Sequence, residues 1–85
     1  MNLGTSPLGK ITLKVPKAAV SMQEGTIVEW FVEDGAQVTL GQPIYAIETE
    51  KTTLEIECPF EGTFKRLGEA GVTYKVGDPI AEIVQ

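Results

Sequence analysis

The chain has 85 residues, of which 42% are hydrophobic and 22% charged, so its length and composition predict one small globular domain. Its net charge of −5 and its pI near 4.5 argue against binding to a nucleic-acid backbone, which requires clustered basic residues. The absence of histidine and the single cysteine exclude histidine catalysis, histidine metal ligands and a thiolate zinc site. We therefore expect no catalytic residues and no metal site, and do not expect an enzyme in its own right.

The start of the chain differs from the rest. The stretch MNLGTSPLGK lacks the basic and apolar regions of a signal peptide, so we expect a flexible lead at residues 1–9 and the domain at residues 10–85. No run approaches the roughly 20 apolar residues of a membrane helix, so no membrane partner is expected. The lone Cys58 suits a reducing compartment. The expected location is therefore the bacterial cytoplasm, or the mitochondrial matrix if the chain derives from a eukaryotic precursor.

Short runs rich in valine, isoleucine, threonine and aromatic residues follow one another, separated by turn sequences with glycine or proline. They predict eight strands, at residues 10–15, 26–32, 37–39, 43–48, 53–58, 62–67, 72–75 and 79–84. No window sustains the spacing of an amphipathic helix. The sequence thus predicts an all-β domain, a small sandwich or flattened barrel.

Two side-chain patterns concern the core. In the second predicted strand, alternation places Val28, Trp30 and Val32 towards the core and leaves Phe31 on the other face, partly exposed. Cys58 alternates with inward-facing residues and is expected to be a small buried residue without a redox role.

The two halves of the chain are related by a degenerate repeat. Glu-Gly-Thr occurs at 24–26 and again at 61–63, and GQPIYAI at 41–47 matches GDPIAEI at 77–83. Such a repeat indicates two similar units that complete one core, since neither could bury its apolar face alone.

The offset between the halves is 37 residues at the first match and 36 at the others, so one residue is missing between Thr63 and Gly71. The counterpart of position 51 would be position 87, just beyond the end of the chain. If a two-fold axis relates the halves, Lys51 and the termini are expected at opposite ends of the domain.

The segment YAIETEKTTLEI, residues 45–56, predicts a hairpin without the residues that a tight turn prefers. A register centred on Glu50 and Lys51 keeps the apolar residues on one face, whereas a shift by one residue would split that face. This register pairs Ile47 with Leu54, Tyr45 with Ile56, and Ala46 with Glu55. We expect the hairpin to be held by its strands and not by turn chemistry, with Lys51 exposed at the tip.

A lysine in a surface turn is most often simply solvated, but three features weigh against that interpretation here. The turn lacks the residues that turns prefer, which indicates a constraint other than turn stability. Glu48 and Glu50 flank the lysine, and Glu55 and Glu57 lie on the returning strand. The repeat also makes the turn the counterpart of the chain end. Such a lysine is accessible to a modifying enzyme.

The residues around this lysine resemble a known motif. ETEKTT, within GQPIYAIETEKTTLEIECPFEGT, is similar to the lipoyl attachment motif of lipoyl domains, and the resemblance covers residues 10–85. It implies a flattened β-barrel of two four-stranded sheets with quasi-two-fold symmetry. It also implies that Lys51 carries lipoic acid in amide linkage, as a swinging arm between the active sites of a 2-oxo acid dehydrogenase complex.

The resemblance also implies roles for neighbouring residues and partners. The attachment turn recognised by a modifying enzyme would consist of Lys51 with Glu50, Thr49 and Thr52. Recognition of partners would involve Glu48, Ala18 and Ala19. The implied partners are a lipoate ligase or lipoyl transferase, a thiamin-dependent 2-oxo acid decarboxylase, an acyltransferase core and dihydrolipoamide dehydrogenase. The isolated domain would be a monomer.

The sequence departs from the family pattern after Pro16, where the usual Leu-Gly is replaced by Ala18-Ala19. In the family this loop lies near the lysine and helps to select the decarboxylase, so the choice of partner is left open. The chain also lacks a long Ala- and Pro-rich linker, so both an excised domain of an acyltransferase and a free-standing carrier are compatible with it.

Three other functions compete with the lipoyl carrier. A biotinyl carrier domain has the same fold but places methionine on both sides of its lysine, where this chain has Glu50 and Thr52. An unmodified interaction module would use the hairpin and its acidic surroundings for docking. A Schiff-base enzyme would need a desolvated lysine, which a turn flanked by glutamates does not provide.

Overall fold

Residues 9–85 are described by the structure, a computed structural model, so the predicted lead lies outside the described residues except for Gly9. The described chain forms eight strands and no helix, and hence no helix that could cross a membrane. The strands are β1 (Lys10–Lys14), β2 (Glu24–Trp30), β3 (Gln37–Val38), β4 (Pro43–Glu48), β5 (Thr53–Glu57), β6 (Gly62–Arg66), β7 (Thr73–Lys75) and β8 (Pro79–Val84). All eight predicted strands are confirmed.

The strands form two four-stranded antiparallel sheets. The strand order is β5-β4-β2-β7 in the sheet that carries the hairpin of Lys51, called here the lysine sheet. The order is β1-β8-β6-β3 in the other, called the terminal sheet because it contains the first and last strands. The apolar faces of the two sheets enclose one core, which confirms the predicted all-β flattened barrel.

The repeat in the sequence corresponds to a repeat in the pairing of strands. β2 pairs with β4 in the lysine sheet, where Thr26 lies opposite Glu48. β6 pairs with β8 in the terminal sheet, where Thr63 lies opposite Val84. The two sheets are therefore built from equivalent positions of the two halves, as the sequence repeat requires.

The turn that contains Lys51 has its counterpart where the described ends of the chain meet. The amide of Thr49 donates to the carbonyl oxygen of Thr52 at 2.7 Å across the turn. The amide of Gln85, 36 residues after Thr49, donates to the carbonyl oxygen of Gly9 at 3.0 Å. The repeat thus places the hairpin tip and the junction of the chain ends at equivalent positions of the two halves.

The residue that distinguishes the two halves is a β-bulge at Val28. Ile27 and Glu29 pair with consecutive residues of β4, whereas Phe64 and Lys65 are themselves consecutive in the second half. The missing residue therefore lies within the predicted interval and is the counterpart of Val28. A bulged residue leaves the alternation of its strand. Val28 is 49% exposed, so the prediction that it points into the core is wrong, and Ile27 is buried instead.

Aromatic residues join the two sheets. The ring centroid of Trp30 lies 5.2 Å from that of Tyr45 and 5.7 Å from that of Phe64, in the opposite sheet. The guanidinium of Arg66 lies 5.7 Å from the indole centroid, close enough for a cation–π interaction. Since Arg66 is the repeat counterpart of Trp30, equivalent residues of the two halves meet here.

The remaining core predictions agree with the structure. Val32 is buried and Phe31 is 40% exposed, as expected for residues on opposite faces. Cys58 is buried, and its thiol donates to the carbonyl oxygen of Phe60 at 2.7 Å, as expected for a small inward-facing residue.

Two repeat-related glycines allow strands to approach side chains of the core. A Cβ atom on Gly25 would lie 2.6 Å from Cδ1 of Ile47, and one on Gly62 would lie 2.8 Å from Cγ2 of Ile83. Ile47 and Ile83 are themselves repeat counterparts. At Gly62 the added Cβ would also lie 2.6 Å from the carbonyl oxygen of Val84, and the φ of 153° disfavours other residues.

We predict that Gly62→Ala lowers the free energy of unfolding by about 2–3 kcal/mol and Gly25→Ala by about 1 kcal/mol. The difference arises because Gly62 faces backbone, which cannot rotate away, whereas Gly25 faces the end of a side chain. Urea unfolding of both variants measures this. Adding Ile47→Val should relieve part of the Gly25→Ala loss, and equal losses for the two single variants would contradict the account.

Tyr45 makes the stability of the fold decrease at high pH. Burial raises the pKa of Tyr45 from 10.0 to about 12, because the ionised phenolate is disfavoured in the core. The unfolded chain therefore loses this proton at lower pH than the folded chain, and the stabilising contribution is lost as pH rises from 10 towards 12. We predict that raising the pH from about 8 to about 11 lowers the free energy of unfolding less in Tyr45→Phe than in the parent chain. Urea unfolding of both chains at the two pH values measures this. Parallel losses in the two chains would contradict this.

Candidate functional site

The hairpin of β4 and β5 has the predicted register. Tyr45 lies opposite Ile56, Ala46 opposite Glu55, Ile47 opposite Leu54, and Glu48 opposite Thr53. Burial of Tyr45 and Ile47 in the core holds β4 in this register. The chain therefore reverses over residues 49–52, called here the lysine turn, with Glu50 and Lys51 as its two central residues.

The lysine turn is stabilised by one hydroxyl group. Oγ1 of Thr49 donates to the carbonyl oxygen of Thr52 at 3.0 Å, and it accepts the amide of Thr52 at 3.2 Å. The amide of Lys51 also approaches this oxygen, at 3.4 Å. The turn needs no glycine, because every residue with positive φ in the described part of the chain is a glycine outside it. The expectation that only the strands hold the hairpin is therefore wrong, since a threonine supplies turn chemistry.

The side chain of Lys51 is exposed, and within residues 9–85 its Nζ has no hydrogen bond and no salt bridge. Glu50 beside it is likewise exposed. The one salt bridge found among these residues joins Nζ of Lys10 to Glu82 at 3.3 Å, in the terminal sheet. The amine at the tip of the hairpin is thus accessible and uncommitted.

The surroundings of the turn are acidic. The outer face of the lysine sheet carries one exposed lysine, Lys75, among five exposed glutamates, which are Glu24, Glu29, Glu48, Glu55 and Glu57. The equivalent face of the terminal sheet carries three lysines and one glutamate: Lys10, Lys14, Lys65 and Glu82. The negative field around Lys51 therefore comes from side-chain identity, because the two backbones are equivalent.

A groove of about 640 Å³ lies beside the lysine turn. One wall consists of the turn itself with Glu48, and the other of the loop and strand from Ala19 to Thr26. Ala19 lines the groove with Lys51, as the resemblance implied. Ala18 does not line it, but its amide approaches Sδ of Met22 at 3.3 Å.

Apart from Ala19, the sequence reasoning missed the residues that form the second wall. Met22 is buried, lines the groove, and anchors the loop through the bond from its amide to the carbonyl oxygen of Ala19 at 3.0 Å. Val20 is 93% exposed at the outer end of the same loop. The repeat offered one signal for this wall, because Glu-Gly-Thr at 24–26 begins the strand that pairs with the end of β4.

We predict that Thr49→Val destabilises the domain by about 1 kcal/mol, because it removes the hydroxyl while preserving the branched shape. Thr52→Val is the matched control, since only backbone atoms of Thr52 take part in the turn bonds. Urea unfolding and hydrogen exchange of the Lys51 and Thr52 amides measure the effect. Equal effects of the two variants would show that the Thr49 hydroxyl does not hold the turn.

Two curated proteins illustrate what the chain is similar to. The dihydrolipoyllysine-residue acetyltransferase component of the acetoin cleaving system of Cupriavidus necator is 40% identical over 62 residues, which are 72% of this chain and 17% of that protein. The lipoamide acyltransferase component of the branched-chain alpha-keto acid dehydrogenase complex of Bacillus subtilis is 38% identical over 72 residues, which are 84% of this chain and 17% of that protein. The chain thus spans less than a fifth of either relative.

A solved structure of a single-chain, multi-domain long-chain acyl-CoA carboxylase shares the fold. It superimposes with a TM-score of 0.75 over 99% of this chain and 8% of that chain, at 21% sequence identity. At this identity the likeness concerns the fold alone.

The family match covers both sheets and the lysine turn, which joins β4 to β5 within the lysine sheet. The biotin/lipoyl family, described as biotin-requiring enzyme, matches residues 11–83, from β1 to β8. The chain therefore belongs to the biotin/lipoyl family.

Proposed function

We propose that this chain is a lipoyl carrier domain that presents Lys51 for covalent attachment of lipoic acid. The observation that carries the proposal is the uncommitted amine of Lys51 at the tip of a turn held by Thr49, within a chain of the biotin/lipoyl family. The domain would move acyl groups and reducing equivalents between the active sites of a 2-oxo acid dehydrogenase complex. It would have no catalytic residues of its own.

The residues of the turn fit the group to be attached. An amide needs one primary amine that a modifying enzyme can enclose, and Lys51 is exposed, with the short side chain of Thr52 beside it. The amide bond forms between Nζ and the carbonyl carbon of an activated lipoate, such as an acyl adenylate, which releases AMP. The protons lost by the ammonium group pass to the modifying enzyme and to solvent.

Two observations favour lipoate over biotin. Glu50 and Thr52 flank the lysine, whereas the resemblance implies methionine on both sides in biotinyl carriers. The two curated relatives described above are named as dihydrolipoyllysine and lipoamide acyltransferases. The likeness to a carboxylase structure, at 21% identity, supports a shared fold and leaves biotin as the alternative.

The protein contributes position and reach to this function. When attached, lipoate supplies a dithiolane that accepts acyl groups and electrons. Tyr45 and Ile47 fix the hairpin to the core, and Thr49 fixes the turn, so the amine projects from a rigid support. Tethering of the domain within such a complex would raise the effective concentration of Lys51 at successive active sites.

The proposed partners follow from the same assignment. A lipoate ligase or lipoyl transferase would recognise Glu50, Lys51 and the two threonines of the turn. A thiamin-dependent decarboxylase, an acyltransferase core and dihydrolipoamide dehydrogenase would act on the loaded arm, with Glu48 and Ala19 at the surface they approach. The named relatives come from bacteria, which supports action in the bacterial cytoplasm.

We predict that a lipoate ligase supplied with lipoate and ATP adds one lipoyl group to the chain, located on Lys51 by intact mass and peptide mapping. Lys51→Arg should abolish the addition, because no other lysine lies at the lysine turn. Lys65→Arg, an exposed lysine of β6, is the matched control and should be modified like the parent chain.

Parallel reactions with biotin and a biotin ligase distinguish the rival cofactor. The parent chain should remain unbiotinylated, and Glu50→Met combined with Thr52→Met should raise biotinylation of Lys51. Biotin on the parent chain would overturn the choice of cofactor. Lipoylation that persists in Lys51→Arg would overturn the site. The absence of both lipoylation and biotinylation would favour an unmodified interaction module.

A further inference from the structure

The groove beside the lysine turn has walls that are held by the fold. Its far wall is fixed by Met22, which belongs to the buried core and whose amide donates to Ala19 at 3.0 Å. The loop between β1 and β2 begins at Val15, whose amide donates to the carbonyl oxygen of Asp78 at 3.0 Å. This bond fixes the start of the loop. At about 640 Å³ the groove falls within the size range of small-molecule sites.

Lys51 is itself part of the wall of this groove. A group carried on its Nζ therefore starts at the groove and needs no other tether to reach it. The opposite wall offers apolar surface from Ala19 and Met22, and a backbone without a side chain at Gly25. Hydroxyl and amide groups of Ser21, Gln23 and Thr26 surround this surface.

We infer that the lysine groove is a resting site for the lipoyl arm, which docks against Ala19, Met22 and Gly25 between visits to partner enzymes. This inference rests on the proposed function and adds to it a position for the arm on its own domain. Removing the methylene groups and sulfur atoms of the arm from water favours docking. The loss of rotation about the bonds of the arm opposes it.

These opposing effects predict a docked state in equilibrium with a free one. A partner enzyme would then compete with the groove for the arm, and the contacts of the arm with Ala19 and Met22 would set the balance. If the arm is docked for about nine-tenths of the time, its sulfur atoms react about 10-fold more slowly than those of free lipoamide.

Ala18 and Ala19 provide a matched pair of variants for the test. Both are exposed, so a glutamate is tolerated at either position, but only Ala19 lines the groove. The chain is lipoylated in vitro, loading is confirmed by mass, and the dithiolane is reduced by a water-soluble phosphine. The phosphine donates two electrons to the S–S bond and becomes the phosphine oxide, while water supplies the oxygen of the oxide and the protons of the two thiols. Free lipoamide is the reference for the reduction rate.

We expect reduction to be about 3- to 10-fold slower in the parent chain and in Ala18→Glu than in free lipoamide. Ala19→Glu should restore the rate of free lipoamide. Backbone NMR of lipoylated and unmodified chains should show shifts of the Ala19, Met22 and Gly25 amides as well as those of the lysine turn, and Ala19→Glu should remove the shifts in the loop.

The outcomes separate this inference from the proposed function. A loaded chain whose dithiolane reacts like free lipoamide, with NMR shifts confined to the lysine turn, would overturn the resting site and leave the carrier function intact. Equal rates in Ala18→Glu and Ala19→Glu would overturn the assignment to this groove. A chain that acquires no lipoyl group on Lys51 would overturn the proposed function and this inference with it.

Discussion

Burial of Tyr45 and Ile47 on the inner face of β4 is the constraint on which the position of Lys51 depends. A slip of one residue between β4 and β5 would turn both side chains towards solvent, so the register is fixed by the core. Once the register is fixed, the reversal falls on residues 49–52, and Lys51 occupies the tip. Packing in the core thereby determines that Lys51 lies at the tip of the hairpin.

The relation between the two halves places the lysine turn and the described ends of the chain at corresponding positions. The backbone bond that closes the lysine turn has its counterpart in the bond between Gln85 and Gly9, where the described ends of the chain meet. The fold holds Gly9 and Gln85 at one of two equivalent positions and the lysine at the other. The symmetry stops at the side chains, because the lysine sheet has an acidic outer face and the terminal sheet a mainly basic one.

The sequence was sufficient for features that depend on periodicity, and insufficient for those that depend on single contacts. Alternation and the repeat predicted the strands, the register of the hairpin and the exposure of Lys51. They did not predict the bulge at Val28. A bulge is recognised from the pairing of β2 with β4, and the sequence of β2 alone does not show this pairing. The role of the Thr49 hydroxyl and the wall formed by Met22 were also missed, since both arise from contacts that composition does not encode. The repeat offset did register the bulge as one missing residue, without showing which residue it was.

The central claim is that the exposed amine of Lys51 is the site at which lipoate is attached in amide linkage. The most direct test is the intact mass of the protein purified from its native host, with peptide mapping across residues 45–56. The account predicts a single lipoyl increment, located on Lys51. An unmodified Lys51 in a host that lipoylates its other carrier domains would contradict the account, and a biotin increment would contradict the cofactor assigned to it.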